Sequence, residues 1–548
     1  MEDEGKPGLP APADMDPRRL HRALTLLSKG EWWTPAALVR ETAAPRRAVE
    51  ALLAEIGPER SGDRFRLGSD QVRRYAEVLD AGRPPFSPAD PVEHLLPEHA
   101  AVVERLHELI ERAPRSRQAL DHVAATPETV VRRALLLGAR FWLRDTRLLC
   151  VGDHDLTSLA IGMIHPHVQT TVVDIDERIL AFIDSAAAGL GLDVRTRWAD
   201  LRLGLAPAAR GYADLAITDP PYSPDGIGLF VARAIEGLRE PARGRVLLAY
   251  GASERTPMLA LKVQKALLDL NVVSEAVYPD FNRYFGAEAI GSAADLYILR
   301  PTTKSLPAAT ARSEQVSTAI YTQGPQAVES REPVAVPVDE VTAGGFQPDA
   351  LVGGWPKGVL PKLPRVRLTT WLAKPYAARL GQVAVALPAG LESALPRVLL
   401  ATRAGHLRVY TAEEVRLGEL AKVLDPVYEL AARGGVLEAV RRPLPQDEAE
   451  RVVRTIMDRA HGKIANSWRD ALIVLRPELN KRQARTVVDE TAPWAKDVTL
   501  LELPLHRLRD LLGAVRDSLV RAERAVQEAV AQAPSADPAA APSLGPGQ

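Results

Sequence analysis

Between Thr146 and Leu299 short β-rich runs alternate with helical stretches, the pattern of βαβ units that close into a parallel sheet. The strands expected are Leu148–Gly152, Thr170–Ile175, Val194–Trp198, Leu215–Thr218, Val246–Tyr250, Val272–Tyr278 and Asp295–Leu299. Seven strands with helices between them suit a doubly wound Rossmann-type sheet over residues 121–302. In such a sheet, ligands sit beyond the carboxyl ends of the strands, so those ends are where chemistry is to be sought.

The remaining sequence reads as flanking units. Residues 1–16 are charged and Pro/Ala-rich, as expected of a disordered tail. Residues 17–82 suggest a winged helix: helices around Leu24, from Thr34-Pro35 and around Val49–Ile56, then a hairpin turning at Gly62-Asp63. Its third helix offsets Arg46 and Arg47 with Glu50 and Glu55, whereas phosphate binding wants surplus positive charge. A scaffold or dimerisation role is therefore expected ahead of nucleic-acid binding, for which this unit is the one candidate. Residues 83–120 read as a connector and residues 303–344 as a linker. Residues 345–532 are expected to form an α+β domain without a catalytic motif. Its strands are Val366–Trp371 and Val383–Leu387, followed by a hairpin from Val398 to Tyr410 and long helices Gln446–Ile464 and His506–Ala531. Residues 533–548 read as a second disordered tail.

Composition narrows the function classes. The net charge of the 548 residues is −1, which gives no overall reason to expect nucleic acid or an acidic membrane as partner. One cysteine, Cys150 in an apolar run, makes neither an internal disulfide nor a cysteine zinc site, and a buried core thiol is expected. His165 and His167 lack ligand partners at metal spacing and are expected to be exposed at a helix end, so no metal site is expected. The N-terminus has no basic stretch followed by an apolar core, and no apolar run is long enough to span a bilayer. A cytoplasmic protein is expected, with a homodimer as a compatible higher state.

The expected strand ends carry unusual residues. The first turn, Gly152-Asp153-His154-Asp155-Leu156-Thr157-Ser158, holds one glycine and two carboxylates. Those acids repel a phosphate and attract a cation, although Asp155 or Thr157 equally suits a helix cap. Asp174, 22 residues beyond Gly152, is placed to accept from ribose hydroxyls, and Asp200 to accept from an adenine amino group. The sharpest signal is Asp219-Pro220-Pro221-Tyr222 after the fourth strand. A nitrogen nucleophile needs its lone pair aimed at an electrophilic carbon. Asp219 and a proline carbonyl can hold that aim, and Tyr222 can offer its ring face to a cation. Phe281-Asn282-Arg283-Tyr284 and the two glycines that follow read as a loop between the last strands.

The set Gly152–Ser158, Asp174-Ile175-Asp176, Asp219–Tyr222 and Asn282-Arg283-Tyr284 to Leu296-Tyr297 resembles the branched-chain polyamine synthases, the bis(aminopropyl)spermidine synthase family, over roughly residues 17–300. The resemblance implies a class I, S-adenosylmethionine-type Rossmann domain. It implies aminopropyl transfer from decarboxylated S-adenosylmethionine to spermidine or a similar polyamine, with no prosthetic group. Gly152, Asp153, His154, Asp174, Asp176 and Asp200 are then expected to hold the donor, and Pro220 and Ser223 the acceptor. Asp155 is expected to act as the general base, with Asp219 and Tyr222 positioning the amine. Asp153, Asp155, Asp176 and Asp219 would draw in cationic reactants, provided they share a cavity and are not tied up by arginines. Two positions depart from the family: His154 stands where it has a third acid, and Ser223 where it has threonine. The alternatives are an S-adenosylmethionine-dependent N-methyltransferase acting on a nucleobase or small amine, and a non-catalytic polyamine- or nucleoside-sensing DNA-binding regulator.

Overall fold

The structure is a computed structural model that describes residues 17–81, 90–252, 256–286, 288, 291–314, 320–321 and 341–532. Both expected terminal tails, residues 1–16 and 533–548, lie outside these residues. Helices Pro17–Leu27, Pro35–Thr42 and Arg46–Ile56 enclose Leu20, Leu24, Leu38, Val49 and Leu52. Thr34 caps the second of them, its Oγ accepting from Ala37 N at 3.2 Å, with Pro35 in the first turn. Strands β1 (Glu59–Ser61) and β2 (Arg64–Arg66) then form an antiparallel hairpin. Arg46 is engaged by Glu50 and by Glu288 of the next domain, and Arg19 reaches Asp280. The third helix therefore spends its leading arginine on a domain contact.

The central sheet contains β3 (Arg147–Val151), β4 (Gln169–Asp174), β5 (Val194–Trp198), β6 (Leu215–Thr218), β7 (Arg245–Tyr250), β8 (Val272–Arg283) and β9 (Ala293–Pro301). Their order is β5-β4-β3-β6-β7-β9-β8, all running one way except β9, which lies antiparallel between β7 and β8. Each strand overlaps one expected from the sequence. Burial on both faces explains the apolar runs of β3, β6 and β7, and Cys150 lies buried in β3. The order switches direction at β3, between β4 and β6, which opens the crevice where the motifs sit.

The C-terminal region departs from the expected α+β plan. Strands β10 (Ala350–Gly353), β11 (Arg365–Val366), β12 (Gln382–Ala386), β13 (His406–Tyr410), β14 (Tyr428–Arg433) and β15 (Val436–Arg441) form one sheet. Its order is β11-β10-β12-β13-β15-β14, with the first four strands parallel and the last two an antiparallel hairpin. This is the order of the central sheet without a counterpart of β5, so the region is α/β.

Local readings change accordingly. Residues expected as a strand after Val366 form helix Leu368–Ala373, and Val398 lies in helix Leu395–Leu400, not in a hairpin. Pro396 in the first turn favours that helix, and β13 pairs with the distant β12 and β15. The expected helix Gln446–Ile464 divides into Glu448–Met457 and Ile464–Leu475, broken around Gly462. The expected linker contains helix Ser305–Glu314, and its residues 315–319 and 322–340 lie outside those described. Among the described residues no helix is long and apolar enough to cross a membrane.

Candidate active site

A cavity of about 720 Å³ opens beyond the carboxyl ends of β3, β4, β5 and β6. Gly152, Asp153, His154, Asp155, Asp174, Asp200, Asp219, Pro220 and Tyr222 all line it. Gly152 turns the chain at φ +74°, a left-handed value that suits glycine. Asp153 then folds back so that its carboxylate accepts from Ser158 N at 3.1 Å, while its own N–H donates to Asp174 Oδ2 at 3.0 Å. Asp174 Oδ1 also accepts from Asp176 N at 2.8 Å. Burial raises the pKa of both acids, that of Asp153 to about 7.

The centre of the site is a residue that no motif indicated. Arg133, on helix Pro127–Arg140, is almost wholly buried. One terminal nitrogen donates to Asp155 Oδ2 at 2.9 Å and the other to Asp219 Oδ2 at 2.6 Å. Its Nε donates to Asn282 Oδ1 at 2.8 Å, which gives the loop motif a structural purpose. Asp219 also accepts from Tyr284 at 2.7 Å and from Tyr222 at 3.3 Å, and the two hydroxyls lie 3.1 Å apart. Burial opposes the guanidinium charge, but Asp219, Tyr284 and Asp155 together hold its pKa well above the usual arginine value. Burial outweighs the arginine at Asp219, whose pKa rises to about 6. Burial also raises Tyr222 and Tyr284, which stay protonated as donors.

Four expectations need correction. Asp155 is not a free base: Oδ1 accepts from Ala125 N at 2.8 Å and Oδ2 is held by Arg133. Asp176 is outside the cavity wall. It caps helix Glu177–Leu190 and pairs with Arg178 at 2.6 Å, which with the hydrogen bonds from that residue holds its pKa low despite burial. Ser223 also caps a helix, accepting from Gly226 N at 2.9 Å and donating to Ile320 O at 2.6 Å. His165 is half-buried, its Nε2 sharing a hydrogen bond with Ala134 O at 2.9 Å.

The image of unpaired acids is thus too simple, because Asp155, Asp176, Asp200 and Asp219 each meet an arginine. Yet six aspartates and one arginine line the cavity, so its wall remains acidic. His154 stacks on His122 with ring centroids 4.3 Å apart and shares a hydrogen bond with Ser116 at 2.9 Å. Burial, with His154 alongside, lowers the pKa of His122 to about 3, so that ring is neutral.

The sheet order and the acidic cavity at its switch point define a class I, methyltransferase-like Rossmann domain. Residues 101–322 match the family model described as the branched-chain polyamine synthase A C-terminal domain. In that segment, about two fifths of its length, the chain is similar to the branched-chain polyamine synthases. An uncharacterized protein of Methanocaldococcus jannaschii is 34% identical over 220 residues, which are 40% of this chain and 54% of that one. N(4)-bis(aminopropyl)spermidine synthase of Thermococcus kodakarensis is 32% identical over 187 residues, 33% of this chain and 52% of its own. The chain therefore spans about half the length of these curated relatives. The branched-chain polyamine synthase of Thermus thermophilus, solved with N4-aminopropylspermidine and 5′-methylthioadenosine, is 21% identical. That match covers 53% of this chain and 88% of that one at a TM-score of 0.38.

Proposed function

We propose that the chain transfers an aminopropyl group from decarboxylated S-adenosylmethionine to an amine of spermidine or a similar polyamine. The observation that carries this reading is the Arg133-bridged pair Asp155–Asp219, with Tyr222 and Tyr284, in the wall of an acidic cavity. The names of the curated relatives agree with it. A donor without its carboxylate is purely cationic, as is the acceptor, and an acidic wall favours both.

In the reaction the acceptor nitrogen attacks the carbon next to the sulfonium. The carbon–nitrogen bond forms, the carbon–sulfur bond breaks, and the sulfur keeps the pair as methylthioadenosine. The proton on the new ammonium passes to the carboxylate pair. Asp219, with its pKa raised to about 6, takes that proton, and Asp155 acts through Arg133 to hold it. Tyr222 and Tyr284 fix the direction of the remaining lone pairs. Gly152, Asp153, His154, Asp174 and Asp200 hold the donor, and Pro220 shapes the acceptor side. The N-terminal unit serves as a winged-helix scaffold, and the assembly acts in the cytoplasm.

Mass spectrometry of polyamines after incubation with spermidine and the decarboxylated donor tests the reading. The expected result is a product one aminopropyl unit heavier, with turnover about 10²–10⁴-fold lower in Asp219→Asn. In wild type kcat/KM should rise with pH through about 6, as Asp219 loses its proton, and that limb should vanish in the variant. Turnover with ordinary S-adenosylmethionine and none with the decarboxylated form would overturn the proposal in favour of an N-methyltransferase. The neutral His122 ring beside His154, where the family has an acid, is the observation that favours this second reading.

A further inference from the structure

The C-terminal sheet repeats six of the seven strands of the central one. β10, β11, β12, β13, β14 and β15 take the places of β3, β4, β6, β7, β8 and β9, in the same order and with the same parallel and antiparallel partners. Its direction switches at β10, between β11 and β12, as the first sheet switches at β3. Each switch strand runs into a glycine of positive φ, Gly152 at +74° and Gly353 at +91°. A Cβ on Gly353 would stand 2.1 Å from Ala386 O, so the repeat depends on the missing side chain. Where β6 is followed by Asp219-Pro220, β12 is followed by Leu387-Pro388. The repeat therefore lacks the carboxylate on which the chemistry of the first site depends.

A cavity of about 830 Å³ lies at this second switch point, reaching Gly353, Gly354 and Pro388 on one side and the central domain on the other. Its charge is the reverse of the first. Arg202, Arg210, Arg233, Arg367 and Lys374 line it, with Glu236 as the one acid. Asp200 neutralises Arg202 at 2.5 Å, and Glu236 neutralises Arg233 at 3.0 Å. Arg210, Arg367 and Lys374 make no ion pair among the described residues, so the surplus is cationic. The volume is in the range of small-molecule sites, and open α/β sheets bind ligands at the switch point.

We infer that the second sheet is a binding site, without group-transfer chemistry of its own, for a phosphate-bearing anion of nucleotide size. Arg210, Arg367 and Lys374 supply the charge, and Gly354 beside Pro388 lines the strand end without a side chain.

Calorimetric titration of the full chain with ATP, and separately with inorganic tripolyphosphate, tests this at physiological salt. Saturable binding of ATP at one site is expected, weakened at least tenfold in Arg367→Ser/Lys374→Ser, whose exposed positions leave the fold intact. Arg210→Ser should weaken it independently. Equal affinity for tripolyphosphate would assign recognition to the phosphates alone, and weaker affinity would assign part of it to the nucleoside; either supports the site. Absence of saturable binding by both probes at millimolar concentration overturns the inference, as does binding unchanged in the double variant. Displacement of the bound ATP by methylthioadenosine also overturns it, because the probe would then occupy the first cavity. The readout is binding alone, so its outcome is independent of whether the first site transfers aminopropyl groups.

Discussion

Arg133 is the residue on which the first site turns. A planar guanidinium can hold Asp155 on one terminal nitrogen and Asp219 on the other, whereas an ammonium is a point charge on a flexible stem. Arg133→Lys should therefore keep the positive charge but lose the spacing of the carboxylates. We expect kcat to fall by about 10²-fold while the affinity for methylthioadenosine stays near wild type, which steady-state kinetics and titration separate. A structural role alone would lower both together.

Asp153 makes a second prediction at this scale. Burial holds its pKa near 7, so in the empty site it is partly protonated at neutral pH. A bound cation favours the ionised form, so ligand binding should release protons around pH 6–7. Calorimetry in two buffers of different ionisation enthalpy would read that release, and an identical heat in both would contradict it. The motif acids were legible because a carboxylate at a strand end is conspicuous. Arg133 was not, because it lies in a helical run beside Arg132, which pairs with Asp90, and only its partners reveal which of the two enters the site. Asp176 and Ser223 were legible as polar groups near the site, but capping and ligand binding use the same residue types.

At the scale of elements, the central sheet could be read because its inner strands β3, β6 and β7 are apolar runs buried on both faces. The second sheet could not. β11 has two residues, reached from β10 through turns alone, and a helix follows it at once. Ala404-Gly405 reads as a hairpin turn, yet the preceding segment is a helix and β13 finds its partners far away in sequence. Tertiary pairing overrode a local turn signal. Gly353 supplies the matching experiment. Gly353→Ala puts a Cβ against the carbonyl of Ala386 in a backbone conformation that alanine resists, a cost of at least about 1–3 kcal/mol. Hydrogen exchange should show amides of β10 and β12 opening faster while those of β3 and β6 keep their protection. Unchanged protection at β10 would show that the close approach of the two strand ends is relaxed at little cost.

At the scale of the molecule, the two sheets are joined by buried polar contacts. Arg397, almost inaccessible, pairs with Glu177 at 2.5 Å, donates to Leu503 O at 2.9 Å and lies 4.0 Å over the ring of Trp198. Asp184 meets His506 and Arg507 at 2.8 Å each. Those partners hold its pKa low despite burial. A depressed acid stabilises above its unfolded value and loses that contribution as pH falls through the folded one, so this joint weakens only below about pH 4. The Glu177–Arg397 pair behaves asymmetrically. Glu177→Ala leaves a buried guanidinium with two nitrogens already lacking partners, and it also removes the acceptor of Leu505 N. Breaking a buried pair in this way costs about 3–5 kcal/mol, whereas replacing both partners with apolar groups is often nearly neutral. Glu177→Ala should therefore separate the melting of the two sheets, with that of the C-terminal domain falling further. Adding Arg397→Met should restore much of the coupling, since methionine can still cover Trp198. If the double variant melts no better than the single one, the charge pair is not what fastens the domains, and the packing around Trp198 must do so instead.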